Sequence, residues 1–246
     1  MIVFDQVSKV YPTGNTVLEN VSFHINPGEF VILTGPSGAG KTTVGRLLIR
    51  DLLPTSGSIK VGEWDLAKMK PGHVSELRRH VGVVFQDYKI IPDKTVFENI
   101  ALALEIIGYP GKQIEDRVKH LLELVGIPDK KDLFPVQLSG GELQRAAIAR
   151  AIVSEPKLLF ADEPTGNLDD QTAADIYQLL LAIHNLGTTV IMCTHNRSFL
   201  DPGHRHINLE KGKITLDTSS SSQPARAAPL REGHKSKEEK HKKTKE

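Results

Sequence analysis

The feature that most constrains the fold is the run Gly35-Pro36-Ser37-Gly38-Ala39-Gly40-Lys41-Thr42-Thr43, set between an apolar stretch at 30–34 and a helix-prone stretch from Lys41 to about Asp51. It fits G-x-x-x-x-G-K-[ST], a loop whose glycines let the backbone wrap so that N–H groups point inward at phosphates. The helix that follows adds its positive dipole end. In such a loop Lys41 reaches the β- and γ-phosphates, and Thr42 offers a hydroxyl to Mg²⁺. A glycine-rich turn matching by chance would not sit between an apolar strand and a helix. The loop therefore points to an α/β chain with a parallel sheet.

The rest of the chain carries the same rhythm. Residues 2–8 and 17–25 alternate apolar and polar positions, as half-buried strands do, with a turn at Pro12-Thr13-Gly14-Asn15 between them. The middle third reads as helical. Ile114, Val118, Leu121, Leu122 and Val125 form an apolar stripe that ends at Gly126, and further helices are expected over 95–107 and 142–153. Strands at 158–161, 188–193, 204–209 and 213–216 then enclose a helix at 170–184. Strands alternating with helices imply a mostly parallel sheet with helices on its faces. Cys193 lies on an apolar strand and reads as packing.

A second site element is Leu158-Leu159-Phe160-Ala161-Asp162-Glu163, an apolar strand ending in two carboxylates. At the carboxyl edge of the sheet Asp162 would hold Mg²⁺, commonly through water, and Glu163 would orient and polarise an attacking water. A third is Leu138-Ser139-Gly140-Gly141-Glu142. Its spacing is that of a capping box, Ser139 at the N-cap and Glu142 three residues on. The same geometry exposes a helix N-terminus, which attracts anions. Two anion-binding helix starts about a hundred residues apart suggest a dimer in which one protomer's helix closes over its partner's nucleotide.

Taken together, the phosphate loop, Leu-Ser-Gly-Gly-Glu, Leu-Leu-Phe-Ala-Asp-Glu, Gly166-Asn167-Leu168-Asp169 and Thr194-His195-Asn196 resemble the ATP-binding-cassette family over residues 1–217, in order and in spacing. The resemblance implies a RecA-like P-loop NTPase core, an antiparallel β subdomain and an inserted α-helical subdomain at about 87–154. It implies ATP and Mg²⁺, and a homodimer in the ATP-bound state. Tyr11 resembles the aromatic that stacks on adenine. Gln86 resembles the glutamine that senses Mg²⁺ and water and faces a membrane partner. Ser139, Gly140 and Gly141 resemble the signature that contacts the γ-phosphate of the opposite protomer, Asp169 the residue that couples the two sites, and His195 the switch histidine. The catalytic set on this view is Lys41, Gln86, Glu163 and His195. Thr42 for serine, Leu143 for the glutamine usual after the signature, and Asn196 for aspartate are departures that remove no catalytic group.

Residues 35–41, 84–99 and 138–142 further resemble the FtsE-type branch of cell division, whose ATPase works with an FtsX-type integral-membrane permease. That implies docking of the permease on the stretch from Gln86 to Lys94, including Tyr88, Ile90 and Ile91. The alternative within the family is an export ATPase of lipoprotein- or macrolide-type systems. A soluble DNA-repair or translation ATPase would usually carry a coiled-coil, zinc-site or second-cassette insertion, none of which is seen.

Charge and composition narrow the classes further. The net charge of +1 gives no electrostatic reason to expect nucleic acid. Residues 218–246 hold 8 Lys+Arg and 4 Asp+Glu, leaving 23 against 26 in 1–217, so a mildly acidic body carries a basic tail. The tail's serine run, two prolines and charged end imply a disordered segment, with weak contact to anionic lipid as its expected role. One cysteine suits a reducing compartment, and neither a signal peptide nor a spanning apolar run is seen. The expected location is cytoplasmic, peripheral on the inner face of the membrane through the permease.

Overall fold

In a computed structural model, residues 2–220 are described. The chain runs β1 (Ile2–Val10), β2 (Thr16–Ile25), β3 (Phe30–Thr34), α1 (Lys41–Leu48), β4 (Ser56–Val61), β5 (Trp64–Asp65), α2 (Val74–Arg79), β6 (Val81–Val84), α3 (Val96–Ile106), α4 (Gly111–Leu124), α5 (Gly140–Ile152), β7 (Leu158–Asp162), α6 (Asp170–Asn185), β8 (Thr189–Thr194), β9 (Arg205–Glu210) and β10 (Lys213–Asp217). Two sheets form. A four-stranded antiparallel sheet has the order β2-β1-β4-β5, and a six-stranded sheet the order β10-β9-β3-β8-β7-β6. In the larger sheet all neighbours are parallel except the β9–β10 pair.

The central strands are apolar on both faces, and their period of two divides the core. Val31 and Leu33 of β3, Phe160 of β7, and Ile191 and Cys193 of β8 pack with Phe4, Phe23, Leu47 and Leu48 between the two sheets. The alternate residues Phe30, Ile32, Leu159, Ala161, Val190 and Met192 face α3–α6. Each large side chain buried this way contributes about 1.5–3 kcal/mol. The α4 stripe Ile114, Val118, Leu121 and Leu122, with Val125 just beyond the helix, is buried as its spacing requires. Cys193 is wholly buried in this packing, and burial pushes its thiol pKa well up.

Helices α3–α5 are inserted between β6 and β7. Thr95 caps α3 and Ser139 caps α5, each in a reciprocal box with the glutamate three residues on. Elements β4, β5, α2 and β6 have no counterpart in the sequence pattern. They are two to six residues long, and α2 buries only Leu77, so neither helical nor strand periodicity can register. The expected disordered, lipid-contacting tail lies outside the described residues apart from 218–220, which form a single 3₁₀ turn.

Candidate active site

Three strand ends build the site. In the parallel register Leu33 of β3 lies beside Cys193 of β8, which lies beside Asp162 of β7. The loop after β3, Glu163 after β7 and His195 after β8 therefore emerge together at the carboxyl edge, where ligands bind in open α/β sheets. At the loop's end Gly40 has φ +110, and a Cβ there would lie 2.7 Å from Leu18 Cδ2, so only glycine fits. Gly40 is also the N-cap of α1 and offers no side chain to cap it. The first N–H groups of that helix are left for an anion.

Lys41, Glu163 and His195 converge. Lys41 Nζ donates to the carbonyls of Gly35 at 2.6 Å and Pro36 at 3.2 Å and lies 3.1 Å from Glu163 Oε1. The second carboxylate oxygen of Glu163 is 2.9 Å from His195 Nδ1 and accepts the His195 backbone N–H at 3.3 Å. Glu163 sits in the left-handed region at φ +48, fixed by its own N–H donating to the Cys193 carbonyl at 3.0 Å. Such a conformation in a non-glycine residue costs about 1–3 kcal/mol and collects at functional sites. Here it aims the carboxylate back over the loop.

Asp162 is 6% exposed, and its Oδ1 has no hydrogen-bond partner. Burial pushes its carboxyl above the ordinary value, with the Thr42 hydroxyl and the Lys41 ammonium opposing the rise and the Glu163 and Asp87 charges adding to it. A buried, unpaired carboxylate oxygen beside a hydroxyl is the donor set of a hard cation. Among the described residues there is no cluster of three or more His, Cys, Asp or Glu side chains that could hold a metal alone. Mg²⁺ takes one or two protein ligands together with phosphate and water, and Asp162 and the Thr42 hydroxyl are the residues here that would supply them.

A cleft of about 310 Å³ is lined by the phosphate loop, Gln86, Glu163 and His195. A second groove of about 850 Å³ shares Thr42, Gln86 and Asp162 with the site and extends along Phe85, Asp87 and Lys89. Tyr11 stands at the edge, its hydroxyl 3.4 Å from Thr43 Oγ1 and the Lys9 ammonium 5.7 Å from the ring centre. Ser139, Gly140 and Gly141 do not line the cleft. Asp169 accepts from the N–H and hydroxyl of Thr172 and so caps α6. Sequence reasoning missed Asn99, Arg150 and Asn167, which hold the loop around Gln86 through backbone carbonyls. Asn99 had a legible signal, an amide on the apolar stripe of Val96, Ile100 and Leu104.

Residues 18–166 match the family described as ABC transporter. The cell division ATP-binding protein FtsE of Streptococcus pneumoniae serotype 2 (strain D39) is 50% identical over 220 residues, covering 89% of this chain and 96% of that protein. FtsE of Bacillus subtilis (strain 168) is 47% identical with the same coverage, and FtsE of Escherichia coli (strain K12) is 43% identical over 87% of this chain and 97% of its own. Among solved structures, a dimeric bacterial ABC transporter cassette superposes with a TM-score of 0.81 at 34% identity, covering 88% of this chain and 97% of the other. The same cassette in a dimeric post-hydrolysis state with ADP and Pi gives 0.81 at 33% with the same coverage.

Proposed function

The chain belongs to the ABC transporter family of ATPases, and from that premise we propose that two copies clamp ATP between them and drive a membrane permease in cell division. The observation that carries this reading is the convergence of Lys41, at 3.1 Å, and His195, at 2.9 Å, on the Glu163 carboxylate at the mouth of the phosphate loop. The relatives are cell division ATP-binding proteins, which favours this branch over lipoprotein or macrolide export.

Residues from Gly35 to Thr43 cradle the phosphates, and Tyr11 stacks on the adenine. The triphosphate competes with Glu163 and the loop carbonyls for the Lys41 ammonium. Glu163, relieved of that partner, accepts a proton from the attacking water, while His195 keeps its carboxylate aimed and reaches the γ-phosphate. Mg²⁺, when bound, neutralises developing charge on the phosphates; Asp162, Thr42 and Gln86 are the residues that would hold it. Because Ser139, Gly140 and Gly141 stand outside their own chain's cleft, they serve the nucleotide of a second copy, with Asp169 linking the two sites. The FtsX-type permease docks on the stretch from Gln86 to Lys94, along the groove that shares Gln86 with the site. Among the described residues no helix is long and apolar enough to cross a membrane, so this reading makes the permease the anchor on the cytoplasmic face.

Glu163→Gln tests the reading. It should bind ATP as the parent does and lose turnover by about 10²–10⁴-fold, the usual contribution of a positioned base. Parent-like turnover would remove Glu163 from that role.

A further inference from the structure

The turn after Gln86 is strained and heavily fastened. Tyr88 and Lys89 are consecutive non-glycine residues in the left-handed region, at φ +59 and +50, a conformation that a Cβ disfavours. Arg150, in the last turn of α5, donates from Nη1 to the Lys89 carbonyl at 2.7 Å and from Nη2 to the Tyr88 carbonyl at 2.9 Å. Among the described residues no carboxylate forms an ion pair with Arg150, so the two carbonyls are its polar partners. Asn99, wholly buried on α3, fastens the far end by accepting the Ile91 N–H at 2.8 Å and donating to the carbonyls of Ile91, Lys94 and Thr95. On the other flank Asn167 donates to the Gln86 carbonyl at 3.2 Å.

The Tyr88 hydroxyl also lies near the opposite end of α5. A Cβ at Gly140 would lie 3.2 Å from the Tyr88 hydroxyl. Ten residues of helix separate Gly140 from Arg150, about 15 Å at 1.5 Å per residue. The tyrosine ring reaching one way and the arginine reaching the other span that length, and they meet at the Tyr88 backbone. The C-terminal end of the helix that presents Ser139 is thus bonded to the Tyr88 and Lys89 carbonyls, and its N-terminal end lies beside the Tyr88 hydroxyl.

We infer that Tyr88 and Arg150 form a strut tying the Gln86 loop to the signature helix α5, with Arg150 a positioning residue for Gln86 and for the Ser139 turn. A shift of the loop, from the nucleotide side or from the groove, then moves the surface offered to the partner copy. The strut rests on the clamp reading above. It uses the guanidinium fork, whose two Nη donors are held in one plane and reach one carbonyl each, whereas a lysine ammonium is a point charge with no fixed fork.

The test measures MgATP-driven dimer formation by light scattering in a Glu163→Gln background, and kcat and KM for ATP with Glu163 in place. Arg150→Met should raise the MgATP concentration for half-dimerisation and lower kcat, each about tenfold. Single-chain binding of a fluorescent ATP analogue should stay within about twofold, because the phosphate loop is untouched, while KM should rise in step with the concentration for half-dimerisation. Arg150→Lys should fall between, and it carries the comparison if Arg150→Met does not fold. Adding Lys89→Gly to Arg150→Met relieves the left-handed strain and should recover about threefold. Parent-like dimerisation and kcat in Arg150→Met, or a loss that Lys89→Gly does not recover, would overturn the strut while leaving the clamp intact. Failure of the Glu163→Gln chain itself to dimerise with MgATP would remove the clamp, and the strut with it.

Discussion

Asp162→Asn should stabilise the chain while disabling it. Asp162 is nearly fully buried, its Oδ1 is unpartnered, and burial raises its pKa from the ordinary carboxylate value. Without a cation, an unpaired buried polar atom costs about 1–3 kcal/mol, and a charged one more. The neighbouring Glu163 charge adds to that cost. The amide keeps the shape and removes the charge, so a gain of about 1–2 kcal/mol is expected in EDTA. For a chain of this size that raises Tm by about 2–8 °C. The sign with pH follows from the raised value. The folded chain holds this proton to higher pH than the unfolded chain, so the contribution of Asp162 to stability is greatest below the ordinary carboxylate range near pH 4 and falls as pH rises through the raised pKa. The variant lacks that fall. Saturating MgATP at about 100 Kd should stabilise the parent by about 2.7 kcal/mol, and the Mg²⁺-dependent part of that gain should vanish in Asp162→Asn. Thermal unfolding in EDTA, with ATP alone and with MgATP, reads all three quantities. A lower Tm for the variant in EDTA, or an equal MgATP shift in both chains, would refute the assignment of Asp162.

Lys41→Ala removes the cation that now rests on Gly35, Pro36 and Glu163; ATP binding measured by fluorescence should weaken at least about a hundredfold, and retained binding would count against the phosphate role. Truncation after Asp217 should leave solution ATPase activity unchanged and reduce co-sedimentation with anionic vesicles at low salt, a difference that added salt erases. Equal sedimentation of the two forms would mean that the basic tail does not contact lipid.

The residues at the site were legible where chemistry demands a local pattern. The phosphate loop requires its glycines and Lys41 consecutively, a capping box fixes Ser139 and Glu142 at one spacing, and an apolar strand ending in Asp162 announces a sheet edge. What the sequence concealed is long-range or brief. Lys41 and Glu163 each suggested a role, but their pairing depends on which strands are neighbours, and β8 lies between β3 and β7. Arg150 reads as one more basic residue on an alanine-rich helix; its partners are backbone carbonyls more than sixty positions away, which no side-chain pattern reveals. The left-handed backbone at Tyr88 and Lys89 is equally silent, because neither residue favours it. Strand β4 escaped because only Ile59 and Val61 of its six residues are buried.

The central claim is that two chains share each nucleotide. The most direct measurement is the mass of the Glu163→Gln chain by light scattering, with and without MgATP, compared with the same chain carrying Ser139→Phe. The account predicts a dimer with MgATP that dissociates when nucleotide is removed, and a Ser139→Phe chain that binds ATP yet stays monomeric. A dimer that forms equally without nucleotide, or one that Ser139→Phe leaves intact, would contradict it.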